Sequence, residues 1–299
     1  MRRLSLLLGV LLLAACGAQQ EASSPADVLD QAAEKLEAAG SLRYTLDVSM
    51  RSRDMSDRPI PFRGEGVTTT EDERGIVLLD LAPMFKALIA HEAGPGQREF
   101  MESFFDHPED WRAEVRYIGD KGWMRIPALT EVVGARPWIE IADDEPESGL
   151  DIALGAAPDS PAALLPYLRA LGPVDEVGGE EVRGLPTTRY QATVELERVP
   201  AQAPEGKRNA LRKQIERAIE QTGQRTVPID VWVDDDLLPR RMRFVDVSPP
   251  GRDEKYPTTY RATMEILEYG VPVRVVRPPA RHVMTEGEFD HLVEGDGSA

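Results

Sequence analysis

Strands with alternating apolar residues dominate the sequence and restrict its fold more than any other feature. From Leu42 to Met50, every second side chain is apolar, which is the pattern of a strand with one buried face. Most connections between the candidate strands are short, so we expect mainly antiparallel pairing. The further candidate strands are 62–70, 75–80, 112–118, 122–126, 138–141, 187–196, 227–233, 238–247 and 256–269.

Helical segments interrupt these strands and supply a cover for the sheet. Apolar residues recur at helical spacing in 25–39, 82–92, 97–105, 161–171 and 206–221. A sheet with one apolar face must bury that face against something, and the helices are the available cover. The sequence therefore predicts an α+β fold. We expect a strongly curved antiparallel sheet with helices on its concave side.

The single cysteine, Cys16, predicts how the chain is attached to a membrane. Arg2 and Arg3 precede an apolar run over 4–15, which ends in small residues directly before Cys16. This order is typical of a secretory signal. A cysteine at that point resembles the bacterial lipobox, whose thiol receives a diacylglyceryl group before the signal is cleaved. A transmembrane anchor is the alternative, but the run is shorter than the ~20 residues that a spanning helix needs.

These features divide the chain into four predicted parts. Residues 1–15 are a lipoprotein signal peptide, 16–25 a lipidated tether, 26–279 the folded domain and 280–299 an acidic C-terminal tail. Acyl chains such as palmitate on Cys16 would hold the domain at the outer face of the bacterial cytoplasmic membrane, because two chains suffice for stable anchoring. With the one thiol modified, the fold must be held together by its core rather than by a disulfide.

The charge of the chain argues against two kinds of partner. The net charge is -17, which argues against nucleic acid and against electrostatic attachment to anionic lipid surfaces.

The composition also indicates the kind of genome. Arginine is far commoner than lysine, and Asn209 is the only asparagine. This bias is typical of a GC-rich bacterial genome and consistent with an actinobacterial source.

No catalytic, cofactor or metal motif stands out in the sequence. The G-x-S-x-G elbow, the phosphate-binding glycine loop and the HExxH pair are all absent. The acidic segments 106–110, which includes His107, and 234–236 carry side chains that can bind metals. A loop entering the next strand and a hairpin turn are the simpler interpretations. We therefore predict no enzymatic activity, no metal and no cofactor.

Three predicted helices carry the apolar side chains that are candidates for lining a ligand cavity. Methionine adapts to irregular apolar shapes, which suits a lipid tail. A mobile lid and a fixed core helix both remain open as interpretations of residues 83–110. The candidate lining residues are Met84, Phe85, Leu88, Phe100, Met101, Phe104, Phe105, Leu164 and Leu168.

Several segments, in their order behind the lipobox, resemble the LppX/LprG-type lipoproteins of actinobacteria, relatives of the outer-membrane lipoprotein carrier fold. This resemblance implies a half-open antiparallel barrel whose cavity accepts acyl chains. The segments are Ala26–Leu29 with Leu42–Thr45, Arg116–Arg125, Val182–Tyr190 with Val227–Asp234 and Leu238–Arg243, and Tyr269–Val273 with Pro278–Pro279.

Two functions follow as hypotheses. The first is a membrane-anchored extracytoplasmic lipoprotein that binds lipids or acylated molecules for transport in the cell envelope. The alternative is a protein-interaction or envelope-sensing module on the same fold, which would contact an envelope protein through its acidic surface. A dry apolar cavity favours the first hypothesis, and an exposed apolar or strongly acidic patch favours the second.

Overall fold

The computed structural model describes residues 24–53, 56, 58–92, 106–119, 121–141, 163–248 and 256–294. Within these ranges the chain forms one twelve-stranded sheet. The strands are β1 (Ser41–Arg51), β2 (Ile60–Thr69), β3 (Arg74–Asp80), β4 (Arg112–Ile118), β5 (Lys121–Arg125), β6 (Trp138–Ile141), β7 (Leu171–Val182), β8 (Leu185–Glu195), β9 (Thr226–Asp234), β10 (Pro239–Ser248), β11 (Thr258–Tyr269) and β12 (Val283–Thr285).

The order of strands shows two meanders joined at one seam. Across the sheet the order is β12-β6-β5-β4-β3-β2-β1-β11-β10-β9-β8-β7. Strands β1 to β6 are neighbours in chain order, as are β7 to β11, and the β1–β11 pair joins the two groups. All pairs are antiparallel except β12 with β6. The antiparallel pairing predicted from the short connections is confirmed.

Seven α-helices lie before, between or after the strands of the described residues. Short 3₁₀ turns at 108–111, 127–129, 196–198, 205–207 and 280–282 complete the regular structure. The α-helices are α1 (Pro25–Ala38), α2 (Ala82–Glu92), α3 (Thr130–Val133), α4 (Leu165–Leu168), α5 (Val199–Gln202), α6 (Arg208–Thr222) and α7 (Glu286–Glu294).

Helix α1 begins as its sequence predicts. Ser24 is the N-cap, its hydroxyl accepts from the backbone N–H of Asp27, and the Asp27 carboxylate accepts from the backbone N–H of Ser24. Pro25 occupies the first turn, where its missing N–H is not needed. These contacts satisfy orphan donors at the helix start. The helix buries Leu29, Ala32, Ala33 and Leu36 against the sheet.

One apolar core fills the space between the sheet and the helices. Apolar side chains from β1 to β4 and from β8 to β11 form a single cluster with side chains of α1, α4, α5 and α6. Strand β1 follows the predicted alternation, because Leu42, Tyr44, Leu46, Val48 and Met50 are all buried. The open, curved antiparallel sheet with helices on its concave side therefore confirms the predicted α+β half-barrel.

Strand β7 departs from the prediction. The sequence over 161–171 predicts a helix, yet the described part of that segment forms only the single turn of α4, and β7 begins at Leu171. Strand β7 lies at an edge of the sheet, where most of its side chains are exposed. An exposed edge strand needs no buried face, so its sequence need not alternate between apolar and polar residues. The glycines and glutamates of β7 therefore give no strand pattern.

The C-terminal segment also differs from the expected tail over 280–299. Strand β12 pairs parallel with β6, and helix α7 follows it. Met284 is buried with Val133 and Ile139 in a small second core, against which Phe289 packs. Three residues of strand and one apolar stripe are too short a signal to stand out in an acidic sequence. The fold therefore extends at least to residue 294.

A close contact between β1 and β2 gives a test of the packing. Gly66 lies opposite Tyr44, and a Cβ at Gly66 would lie 2.8 Å from the buried Tyr44 ring. We expect Gly66→Ala to lower the free energy of unfolding by about 1–3 kcal/mol, because overpacking forces the ring from its place. Urea denaturation measures this loss. Gly206→Ala is the control, since an added Cβ there meets no atom within 4 Å. Equal stability of the two variants would contradict the packing.

Candidate functional site

The inner face of the sheet contains part of the predicted cavity lining. Leu164 and Leu168 are fully buried in the main core. Met84 and Phe85 on α2 are partly buried and pack against the same core. The Phe85 ring also meets Trp111, with 4.8 Å between ring centroids and an interplanar angle of 52°. The structure thus brings residues from two separate predicted helices to one apolar interior.

The remaining candidates stay predictions. The backbone of Leu88 belongs to α2, but its side chain lies outside the described part of the structure. Phe100, Met101, Phe104 and Phe105 lie outside the described residues, as does Cys16. Among the helices that are described, none has the length and apolar character required to cross a membrane.

The acidic segments weighed as metal sites form ordinary turns. The Oδ1 of Asp234 accepts from the backbone N–H groups of Asp236, at 3.0 Å, and Leu238, at 2.9 Å, while its Oδ2 accepts from Nε of Arg240 at 2.6 Å. His107 precedes a 3₁₀ turn over 108–111, and its Nδ1 lies 3.3 Å from Oε1 of Glu109. In the described ranges, no three His, Cys, Asp or Glu side chains come close enough to hold a metal ion.

The opposite, outer face of the sheet carries a polar groove that the sequence analysis missed. Its volume is about 600 Å³. The strand register places polar side chains side by side in two rows across β8, β9, β10, β11, β1 and β2. One row is Arg189, Trp232, Arg241, Glu265 and Thr45, and the other is Gln191, Asp230, Arg243, Thr263, Asp47 and Arg63.

Trp232 forms the floor of this groove. It is only 2% exposed although it lies on the outer face. The guanidinium carbons of Arg189, Arg241 and Arg243 lie 5.3, 5.3 and 5.4 Å from the ring centroid. Its indole N–H donates to Oε2 of Glu180 at 2.8 Å. Arginine planes over an aromatic face gain cation–π attraction, so the ring and the arginines hold one another in place.

Asp230 fixes two of these arginines. Arg189 donates to its Oδ1 through Nε at 3.0 Å and Nη2 at 2.7 Å. Arg243 donates to its Oδ2 through the same two atoms, at 3.0 and 2.7 Å. The side chain of Asp230 is 10% exposed. A nearly buried carboxylate needs such partners, because an unpaired charge there would be costly. Both guanidinium groups are therefore held in defined orientations.

The β7–β8 hairpin forms one wall of the groove. Arg183 and Gly184 at its tip have positive φ angles of 50° and 80°, the conformation of the tight turns that match strand twist. From this tip, Nε of Arg183 donates to Oε2 of Glu265 on β11 at 2.7 Å. Arg241 donates through Nε to Oε1 of the same carboxylate at 2.8 Å. Glu265 thus links the hairpin to the middle of the sheet.

The hydrogen bonds from the two arginines lower the pKa of Glu265. Burial opposes its ionisation, but the hydrogen bonds from Arg241 and Arg183 outweigh burial and hold the pKa below its ordinary value of 4.5.

The sequence contains only a weak signal for the groove. Two pairs of residues are spaced at i and i+2, namely Arg241 with Arg243 and Asp230 with Trp232. Each pair therefore falls on one face of its strand. Their common face required the register between strands.

The pairing of Glu265 predicts a pH dependence. A lowered pKa means that this carboxylate stabilises the fold fully above pH 4.5 and loses that contribution as the pH falls through the folded-state pKa. We expect Glu265→Gln to be less stable than the wild type at neutral pH and to lose less stability on acidification to about pH 3. Urea midpoints at the two pH values measure this. Glu268→Gln, an exposed change on the same strand, is the control, and the same slope for wild type and Glu265→Gln would contradict the link.

Comparison with known proteins gives distant similarities. No protein-family model matches the chain. It is 27% identical over 199 residues to an uncharacterized 31.2 kDa protein in the rplA-rplJ intergenic region of Streptomyces griseus, a match over 63% of this chain and 60% of the relative. The match therefore spans less than two thirds of that relative's length.

Two solved structures are similar to the chain at low sequence identity. LprF from Mycobacterium bovis is 12% identical, with a TM-score of 0.43, over 85% of this chain and 96% of the other. Lipoprotein LppX from Mycobacterium tuberculosis is 12% identical, with a TM-score of 0.37, over 85% of this chain and all of the other (100%). The solved structures that this chain resembles thus include LppX, as the sequence resemblance predicts.

Proposed function

We propose that the protein is a membrane-anchored extracytoplasmic lipoprotein that binds lipids or acylated molecules in the apolar interior of the half-barrel, for transport in the cell envelope. The observation that supports this proposal is the continuous apolar inner face of the sheet. Binding rather than catalysis is the proposed activity, with no cofactor involved.

The cover of this inner face is suited to partial displacement. Helix α2 contributes Met84 and Phe85, which are only partly buried, whereas Leu168 of α4 and Val199 of α5 are fully buried. Side chains that are only partly buried have fewer contacts to lose when a helix moves. An acyl chain that replaced such contacts would gain about 25 cal/mol for each Å² of apolar surface removed from water. The proposed ligand site therefore lies between α2 and the inner face of the sheet.

The proposed anchor would keep this interior close to the membrane. Helix α1 begins directly after Ser24, so 17–23 separate a lipidated Cys16 from the folded domain. Seven residues reach at most about 25 Å when fully extended. A carrier tethered on this length could take a lipid from the outer face of the membrane without releasing itself.

Native mass spectrometry of the chain from Ser24 onward tests the proposal. The protein should be produced in its own kind of host and purified without detergent. We expect an additional mass that solvent extraction identifies as a lipid, because the apolar interior would retain its ligand. A ligand-free mass, together with no uptake of offered phospholipids or glycolipids, would contradict lipid binding and favour the protein-interaction module.

Variants on α2 locate the site. We expect Met84→Glu to lower lipid occupancy about tenfold or more, because a buried acyl chain would meet a charge in place of an apolar side chain. Phe104→Glu should act in the same way if the predicted stripe lines the cavity. Lys86→Glu, an exposed change on the same helix, is the control. Urea denaturation of each variant separates loss of ligand from loss of fold, and full occupancy in Met84→Glu would contradict this position for the site.

A further inference from the structure

The outer groove contrasts with the charge of the whole protein. The chain carries a net charge of -17, yet five arginines and three carboxylates line the groove. With Asp230, which pairs with Arg189 and Arg243, five arginines face four carboxylates. The lining arginines are Arg63, Arg183, Arg189, Arg241 and Arg243. A local excess of positive charge on an acidic protein attracts anions to one place and repels them elsewhere. The groove therefore favours an anionic ligand.

The arginines of the groove are pre-organised. Trp232 lies under three guanidinium groups, and Asp230 and Glu265 hold them from the side. A ligand that binds such groups does not need to immobilise them first, so less conformational entropy is lost on binding. The groove therefore offers fixed cationic groups rather than flexible surface side chains.

Donors remain available on these arginines. Arg189 and Arg243 use Nε and Nη2 for Asp230, and within the described residues no hydrogen bond uses their Nη1. Arg183 donates to Glu265 through Nε alone, and its side chain is 54% exposed. Guanidinium forks match the oxygens of phosphate and carboxylate. Thr45 and Thr263 also line the groove.

We propose that this groove on the outer face is a binding site for a phosphate group, carried by a small phosphomonoester or by a lipid headgroup. Its volume of about 600 Å³ lies in the range of small-ligand sites. Several arginines approach from three strands and a hairpin, which suits a tetrahedral dianion with three free oxygens better than a planar carboxylate with two. The site lies on the opposite face from the proposed acyl cavity and does not depend on it.

Isothermal titration calorimetry of the full-length protein in neutral detergent tests the site. The probes are inorganic phosphate and glycerol 3-phosphate, with sodium chloride of equal ionic strength as the blank. We expect saturable binding of at least one probe. Arg183→Gln should weaken binding about tenfold, because one charge-assisted hydrogen-bonding group is lost. Because its side chain is 54% exposed, we expect the variant to fold, and a urea midpoint checks this.

Arg112→Gln is the matched control. Arg112 lies on the same face, its side chain is 50% exposed, and it forms an ion pair with Glu65, but it does not line the groove. We expect its binding to stay within about twofold of wild type, since only general electrostatics would change. Equal losses in Arg112→Gln and Arg183→Gln would overturn the site, as would the absence of saturable binding for every phosphate probe.

A short-chain phosphatidic acid distinguishes the two sources of phosphate. If the natural ligand is a lipid headgroup, this lipid should bind more tightly than glycerol 3-phosphate, and Arg183→Gln should weaken both. If the ligand is a soluble phosphomonoester, the two should bind equally. Lipid binding that Arg183→Gln does not alter would belong to the acyl cavity and would overturn the groove as its headgroup site. Failure of lipid uptake with retained phosphate binding would instead reject the acyl cavity alone.

Discussion

The pairing of β1 with β11 is the constraint on which the rest of the structure depends. The two strands pair from Leu42 with Tyr269 to Arg51 with Thr259, with one irregularity after Arg43. This seam makes one sheet from two meanders that would otherwise each expose a long edge. The register of this pair also determines which side chains of β1 face inward and which face outward. A shift of one residue would exchange the two sets. The apolar interior and the polar groove therefore depend on the same register.

The central strands of the sheet are covered on both faces by different kinds of interaction. On the inner side, Ile229 and Val231 of β9 pack in the apolar core. On the outer side, Trp232 is covered by arginines that form ion pairs with Asp230 and Glu265. A sheet that is held on both faces resists bending, so changes of shape are easier in the partly buried helix α2 than in the strands. This division suits a protein with a rigid wall and a displaceable cover.

The sequence was sufficient for the elements whose burial is one-sided and regular. The alternation of apolar and polar residues predicted β1. The helical spacing of apolar residues predicted α1, whose first turn carries the N-cap Ser24 and Pro25. Strand β7 was missed because an edge strand needs no apolar face, and β12 because three residues carry no period. Of the candidate site, the burial of Leu164 and the packing of Met84 follow from apolar spacing. The outer groove depends on cross-strand register, which no local pattern contains.

The last strand has a consequence for the order in which the chain can complete its fold. Strand β12 covers the edge of β6 by pairing Val283 with Trp138, and the segment that leads to it is held by a hydrogen bond from Arg116 to the carbonyl of Val276 at 2.7 Å. Until these late residues emerge, β6 presents unpaired N–H and C=O groups that another chain could join. The segment 276–285 therefore acts as a cover against edge-to-edge association, and it becomes available only after the strand that it covers has been made.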